Sequence, residues 1–222
     1  FIILFCMDVV QLNDNKDELS GVEELRVSIT VEEINNLPLR TFNGKTFVIS
    51  NADQLGKIVK EIESHDVVGF DTETRPSFKK GQVFQVSLLQ LAIPNKVFLI
   101  RLNHTGVTAE LAGLFSNPRI IKAGVGIRDD LKALQKLRPF EPVNCHDLSS
   151  LAKQAGLQVE SVKKLTALLL GFRISKSAQT SNWEVATFTQ KQIEYAATDA
   201  WVCLELFKKL KPKNSQLFSS LR

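Results

Sequence analysis

The sequence predicts a mixed α/β domain in which an antiparallel meander is extended by parallel strands, with helices on both faces of a five- or six-stranded sheet. Three observations carry this prediction. Apolar runs at residues 67–74, 83–92 and 96–102 follow one another through short connections, as hairpin-joined strands do. From Thr108 onward strands and helices alternate, the pattern of parallel additions to one sheet. The chain then turns wholly helical and ends in its best-specified helix, residues 189–210.

With 222 residues, 44% of them hydrophobic, the chain suffices for one domain with a decorated terminus. The expected division is a flexible lead-in over residues 1–29, the domain over 30–211 and a tail over 212–222. A net charge of +4 permits a polyanionic partner without requiring one. Cys6, Cys145 and Cys203 form no C-x-x-C pair, so neither a disulfide framework nor a zinc knuckle is indicated and an intracellular, reducing compartment is the simpler reading. Residues 1–6 are apolar but lack a basic flank and are too short for a signal sequence or a membrane span, so a soluble protein without membrane association is expected. Met7 is the only methionine and marks one candidate start; residues 11–20 are polar, as in a flexible lead-in.

Thr30 before Val31-Glu32-Glu33 is a capping-box start for a short helix that Pro38 limits. Residues 42–49 read as an edge or first strand, entered through a turn at Asn43-Gly44. Ser50 or Asn51 then caps a helix whose Leu55, Ile58, Val59 and Ile62 share one face. That helix delivers the chain into Val67-Val68-Gly69-Phe70-Asp71-Thr72-Glu73-Thr74, a buried strand that ends in acid. A turn over residues 75–81 leads to the other two meander strands, which Pro94-Asn95 separates. A helix through Leu111 and Phe115, a strand over 119–123, a helix carrying Leu131, Leu134 and Leu137, and a short strand over 143–145 follow. Helices over 148–155, 161–170 and 189–210 complete the chain. In the last, Thr189 and Gln192 form a capping box, Ile193, Ala196, Ala197, Ala200, Leu204 and Phe207 line a core face, and Pro212 closes the helix.

The unusual chemistry lies in the acids. Side chains alternate along a strand, so Asp71 and Glu73 point to the same face. Carboxylates that close repel strongly at low dielectric, and a chain keeps them there chiefly where a cation sits between them; an isolated D-x-E also fits a strand end fraying into solvent. Tyr195 and Asp199, four apart, share one side of the last helix at the edge of its core stripe. An acid beside that alanine-rich face is costly to desolvate unless a hydrogen bond or a metal takes it. A further acidic position, Asp129-Asp130, opens the helix after the strand over 119–123, where an acid ordinarily serves as a cap or a dipole partner. Together Asp71, Glu73, one of Asp129 and Asp130, and Asp199 offer oxygen-only ligation, which suits hard ions such as Mg²⁺ or Mn²⁺. Two glycine-rich look-alikes are set aside. Gly124-Val125-Gly126-Ile127-Arg128-Asp129 has aspartate for the third glycine of a dinucleotide fingerprint, and residues 171–177 lack the glycine that precedes the lysine of a phosphate loop.

Phe70-Asp71-Thr72-Glu73, the segment Ala123-Gly124-Val125-Gly126-Ile127-Arg128-Asp129-Asp130, and Tyr195-Ala196-Ala197-Thr198-Asp199-Ala200 resemble, in order and spacing, the three motifs of the DEDD 3′–5′ exonucleases. The tyrosine four before the last aspartate is similar to the tyrosine-bearing subfamily of ribonuclease D and the Werner exonuclease domain. Ser181-Asn182-Trp183 looks most like the Werner branch, and the resemblance spans residues 47–210. It implies a ribonuclease H-like fold and release of nucleoside 5′-monophosphates from the 3′ end of a nucleic acid. It also implies two divalent metal ions, Mg²⁺ or Mn²⁺, held by Asp71, Glu73, Asp130 and Asp199, one ion activating the attacking water and the other steadying the leaving oxygen. Tyr195 would orient that water, and Asp129 would be left as a solvent-side or capping acid.

The same resemblance makes nucleic acid the expected partner, with DNA favoured over RNA and any unwinding left to a separate helicase, in the cytoplasm of a bacterium or the nucleus of a eukaryote. Thr74 departs from the aromatic residue often found there in the Werner branch. With Thr74, the candidate nucleic-acid contacts are Phe78, which could stack on a base, and Lys79 and Lys176, which could meet phosphate. Asp147 reads as a helix N-cap, Trp183 as partly core, and His65, His104 and His146 as surface or satisfied histidines. One rival is a module of the same fold that binds nucleic acid without cutting it, against which the intact acids and Tyr195 argue. Another is a glycosidase using Asp71 and Glu73, disfavoured because residues two apart on one strand rarely flank a sugar bond at the required separation.

Overall fold

The computed structural model describes residues 26–79 and 81–211; Met7, most of the expected lead-in, and the tail with Pro212 lie outside the described residues. The sheet has six strands in the order β1 (Lys45–Ile49), β4 (Lys96–Arg101), β3 (Val86–Ile93), β2 (Val67–Thr74), β5 (Ile121–Gly124), β6 (Cys145–Asp147). β2, β3 and β4 form the antiparallel meander, while β1 joins β4, β5 joins β2, and β6 joins β5 in parallel. The strand that ends in acid therefore lies inside the sheet, paired on both edges. β1 takes the predicted edge position.

Alternation along β2 sends its residues to two different cores. Val68 and Phe70 face a layer built with α2 (Leu55–Ile62), α4 (Ala109–Ser116) and α5 (Ile127–Leu137), where the Phe70 ring meets Phe115 edge-on at 5.4 Å. Gly69, Asp71 and Glu73 face the opposite side, which α8 (Gln190–Leu210) covers. Gly69 lies directly beneath the backbone of Ala200 and Leu204, and its missing side chain is what lets α8 approach the sheet. Helices therefore cover both faces, as expected. Two further helices, α6 (Leu148–Gln154) and α7 (Val162–Leu170), complete the α8 side.

The caps read from sequence are formed. Thr30 and Glu33 close a capping box on α1 (Val31–Asn36), Thr189 and Gln192 close one on α8, and Asn51 caps a 3-10 turn that runs into α2. Four strand starts differ from the expected ones. β1 starts at Lys45 rather than at residue 42, because the Phe42 N–H donates to Thr198 Oγ1 at 3.0 Å and ties the chain to α8 first. β3 starts at Val86, with Val83 exposed in the preceding loop. β5 starts at Ile121, because Arg119 N–H bonds the Asn117 side chain in a turn. β6 runs over Cys145–Asp147 rather than 143–145, because Asn144 adopts φ 54° and interrupts the extended backbone. A single-turn helix, α3 (Leu102–Thr105), was not foreseen, and Ile193 is half-buried where it packs against the core. Among the described residues no helix is long and apolar enough to cross a membrane.

Candidate active site

β2 brings Asp71 and Glu73 to its end on the α8 side, and a β-bulge between Glu73 and Thr74 shifts the pairing with β3 immediately after them. Bulges of this kind bend a strand and re-aim its last side chains. From above, α8 lowers Asp199 onto the pair. One carboxylate oxygen each from Asp71, Glu73 and Asp199 lies within 4.8 Å of the others. Asp199 is buried, and the two strand acids are half-buried.

The electrostatics of this trio are those of unneutralised like charge. Burial, followed by repulsion from Asp199 and Glu73, raises the pKa of Asp71 well above the usual carboxylate range. Burial and the Asp199 charge push Glu73 up to about 8, and the Tyr195 hydroxyl pulls the other way. Asp199 is raised by burial and relieved in part by the Tyr195 hydroxyl and the Lys176 charge. Tyr195 itself, one turn before Asp199, has its pKa raised by burial and by these acids, so it remains a neutral phenol. Its ring packs against Trp183, centroids 6.0 Å apart, which fixes where the hydroxyl points. Three oxygen donors at this spacing, with no histidine among them and the nearby Cys203 thiol held protonated by burial, fit a hard divalent cation.

The structure also separates the two candidates at the start of α5. Asp129 is 92% exposed and pairs with Lys132, the solvent-side role expected of it. Asp130 turns inward and accepts a hydrogen bond from the Thr72 hydroxyl. Thr72 points to the α5 side of the sheet, so Asp130 approaches the end of β2 from the face opposite Asp71 and Glu73 and stands outside the three-acid cluster. Gly126, with φ 71°, supplies the turn that starts α5, and Asp147 accepts from Ile127 N–H while capping α6.

Of the candidate nucleic-acid contacts, Thr74 is exposed as the last residue of β2, and Phe78 and Lys79 are exposed just beyond it, with Phe78 88% exposed. Lys176 is exposed near Asp199. Trp183 is fully buried rather than partly core, and its segment is pinned by Glu184, which pairs with Arg75 at 3.3 Å and accepts from Ser87, and by Arg101, which donates to the carbonyl of Ala186 at 2.7 Å. His146 bonds Asn144 Oδ1 at 2.7 Å, a satisfied histidine.

A family model described as 3′–5′ exonuclease matches residues 46–214, which include every acid of the site and Tyr195. The chain belongs to the 3′–5′ exonuclease family. Among relatives of this exonuclease, an Arabidopsis thaliana 3′–5′ exonuclease is 29% identical over 192 residues, covering 79% of this chain and 67% of that protein. The mouse bifunctional 3′–5′ exonuclease/ATP-dependent helicase WRN is 32% identical over 189 residues, covering 79% of this chain and 13% of that one. The chain thus spans a small part of the length of some relatives. The crystal structure of Escherichia coli RNase D, an exoribonuclease involved in structured RNA processing, superposes with a TM-score of 0.69 at 23% identity, over 75% of this chain and 44% of that one. The fold is accordingly ribonuclease H-like.

The raised carboxylates give this exonuclease a pH signature. Between the ordinary glutamate range and about 8, folded Glu73 keeps a proton that the unfolded chain has released. Stability then falls as pH rises through that window. Lys122, lowered to about 8 by burial, adds no slope until higher pH. The melting temperature in chelator should therefore drop steadily from about pH 5 to about pH 8, and Mn²⁺ should flatten the slope. A metal-free melting temperature that rises across the same range would contradict this assignment.

Two residues of the site were missed in sequence. Nothing in the sequence marks Thr72 as a partner of Asp130, although alternation along β2 sends it to the face opposite Asp71 and Glu73. Gln90 lies in the middle of β3, whose eight residues are all buried. A lone amide in an apolar strand was the available signal.

Proposed function

We propose that this chain removes nucleotides one at a time from the 3′ end of a nucleic acid, releasing nucleoside 5′-monophosphates with the help of two divalent ions, and that residues 30–211 form the catalytic domain. The convergence of Asp71, Glu73 and Asp199 within 4.8 Å beneath Tyr195 is the observation that carries the reading. Asp71, Glu73 and Asp199 would hold the ions, with Asp130 contributing from the other face of the sheet. When bound, the ions would supply Lewis acidity toward the scissile phosphate and the attacking water. Tyr195, a neutral phenol facing Glu73 and Asp199, positions that water by its hydroxyl. Burial under α8 holds Asp71 and Glu73 partly protonated until an ion arrives, so ion binding would be coupled to proton release. Thr74, Phe78 and Lys79 at the end of β2, with Lys176 across the site, would receive the terminal nucleotide and its phosphates. DNA is favoured on the likeness of Ser181-Asn182-Trp183 to the Werner branch.

The test is degradation of 5′-labelled DNA and RNA oligonucleotides, paired and unpaired, with Mg²⁺ or Mn²⁺. A descending ladder is expected. Immediate release of a labelled mononucleotide would mean digestion from the 5′ end, and undiminished activity in excess chelator would end the metal assignment.

The repulsion among the acids yields a second measurement that needs no substrate. Asp71→Asn removes a carboxyl that the metal-free fold must hold either charged against its neighbours or protonated at a cost, so in chelator it should melt above wild type, by about 0.5–2 kcal/mol, the usual gain when a functional site is relaxed. Added Mn²⁺ should narrow or reverse that order, because only wild type gains the full stabilisation of binding to the native state. Equal metal-induced shifts in the two proteins would show that Asp71 is no ligand.

A further inference from the structure

Two polar groups beneath the acids have no partner. Gln90 is 0% exposed, and both its amide nitrogen and its amide oxygen lack a hydrogen bond among the described residues. Trp183 is also 0% exposed, and its indole N–H is equally unpartnered. Leaving such a group unsatisfied in a folded interior costs the full desolvation penalty of that group. An apolar side chain of the same shape would avoid that cost at either position.

Their placement explains why polar groups stand there. In the antiparallel register of β2 and β3, Gln90 is the direct cross-strand partner of Asp71. Cross-strand partners project to the same face with Cβ atoms about 4.5–5.5 Å apart, within reach of a glutamine amide. On its other side Gln90 is paired with Leu99 of β4, which belongs to the apolar layer under Tyr195, Ala196 and Ala200 of α8. The amide is therefore enclosed by hydrocarbon on one side and by the acid cluster on the other. The Trp183 indole lies against Glu73 and draws its pKa down in part, without the geometry of a formed hydrogen bond. Each of the two strand acids thus has one buried, unpartnered donor as a neighbour.

We propose that Gln90 and Trp183 are positioning residues for the metal site, the Gln90 amide donating to Asp71 and the Trp183 indole N–H donating to Glu73 once a divalent ion draws the other carboxylate oxygens into place. A carboxylate that ligates a metal through one oxygen leaves the second free to accept a hydrogen bond, and outer partners of this kind fix the orientation of the ligand. The two donors carry no charge, so they orient the carboxylates without competing with the cation for them. They also complete their own hydrogen bonding by doing so, which makes ion binding and the satisfaction of these buried groups one event.

This inference rests on the metal-site reading, and the experiment keeps the two separable. Gln90→Met retains the length and burial of the side chain without its amide, and Trp183→Phe retains an aromatic without the N–H. Leu88→Met, at the position paired with Glu73 on the same face, is the control for repacking. Two quantities are measured on each protein: the shift in melting temperature on adding Mn²⁺ to metal-free protein, and the Mn²⁺ concentration at half-maximal nuclease rate. In chelator Gln90→Met should melt at or above wild type, because an unsatisfied amide is gone. Its metal-induced shift should be smaller and its half-saturating Mn²⁺ concentration about 10–100-fold higher, the usual consequence of losing an outer partner of a ligand. Trp183→Phe should show the same reduced shift and raised Mn²⁺ requirement, and Leu88→Met should match wild type. A metal-responsive wild type with equally responsive Gln90→Met and Trp183→Phe overturns this proposal alone, and so does an equal loss in Leu88→Met. A wild type that gains no stability from Mn²⁺ overturns the metal site and this proposal together.

Discussion

Tyr195→Phe should lower the nuclease rate by about 10²–10⁴ while leaving the fold intact, the range that positioned proton-handling groups typically contribute. At about 1.4 kcal/mol per factor of ten, this corresponds to about 3–6 kcal/mol of transition-state stabilisation from one hydroxyl. The substitution removes one oxygen and retains the ring, whose packing against Trp183 is independent of the hydroxyl. Because Tyr195 stays neutral beside Glu73 and Asp199, its hydroxyl acts as a fixed donor and acceptor rather than as a charge. The loss should therefore fall on the rate at saturating substrate, with little change in the metal-induced shift in melting temperature. Wild-type turnover in this variant would return Tyr195 to a packing role. A collapse of the metal-induced shift would instead show that the hydroxyl holds Asp199 in place.

The parts of this site that were legible in sequence are those set by local periodicity. The period of two along β2 puts Asp71 and Glu73 on one face, the spacing of four along α8 puts Tyr195 beside Asp199, and both capping boxes are contained within four residues. What lay outside its reach depends on contacts across the fold. The family resemblance selects Asp130 over Asp129, yet only the packing of α5 on the Phe70 side shows that Asp130 arrives from the other face and meets Thr72. Gln90 has meaning only through its register with Asp71, and the bulge after Glu73 shows how local backbone geometry can change such a register. The misplaced start of β6 has the same origin on a smaller scale, since residues 143–145 have the composition of a strand and the left-handed backbone of Asn144 is not visible in it.

Gly69→Ala should damage both stability and activity although it touches no catalytic group. A methyl at this position would fall 2.5 Å from the backbone nitrogen of Leu204 and closer still to the carbonyl oxygen of Ala200. Both obstacles are helix backbone, so no side-chain rotation can relieve the clash, and α8 must move away from β2. Overpacking of this kind typically costs about 1–3 kcal/mol. The activity should suffer more than the stability does. Asp71 and Glu73 ride on β2, two and four residues beyond Gly69, whereas Asp199 and Tyr195 ride on α8, one and five residues before Ala200, so any separation of the two elements opens the cluster itself. A displacement of about 1 Å at a reacting centre can cost about 100-fold in rate. The measurements are a denaturant melt and the nuclease rate of Gly69→Ala at saturating metal, compared with Gly113→Ala on α4, where an added methyl meets nothing within 4 Å. Gly113→Ala should retain wild-type activity. A folded Gly69→Ala with full activity would show that the close approach of α8 to β2 is not what assembles the three carboxylates.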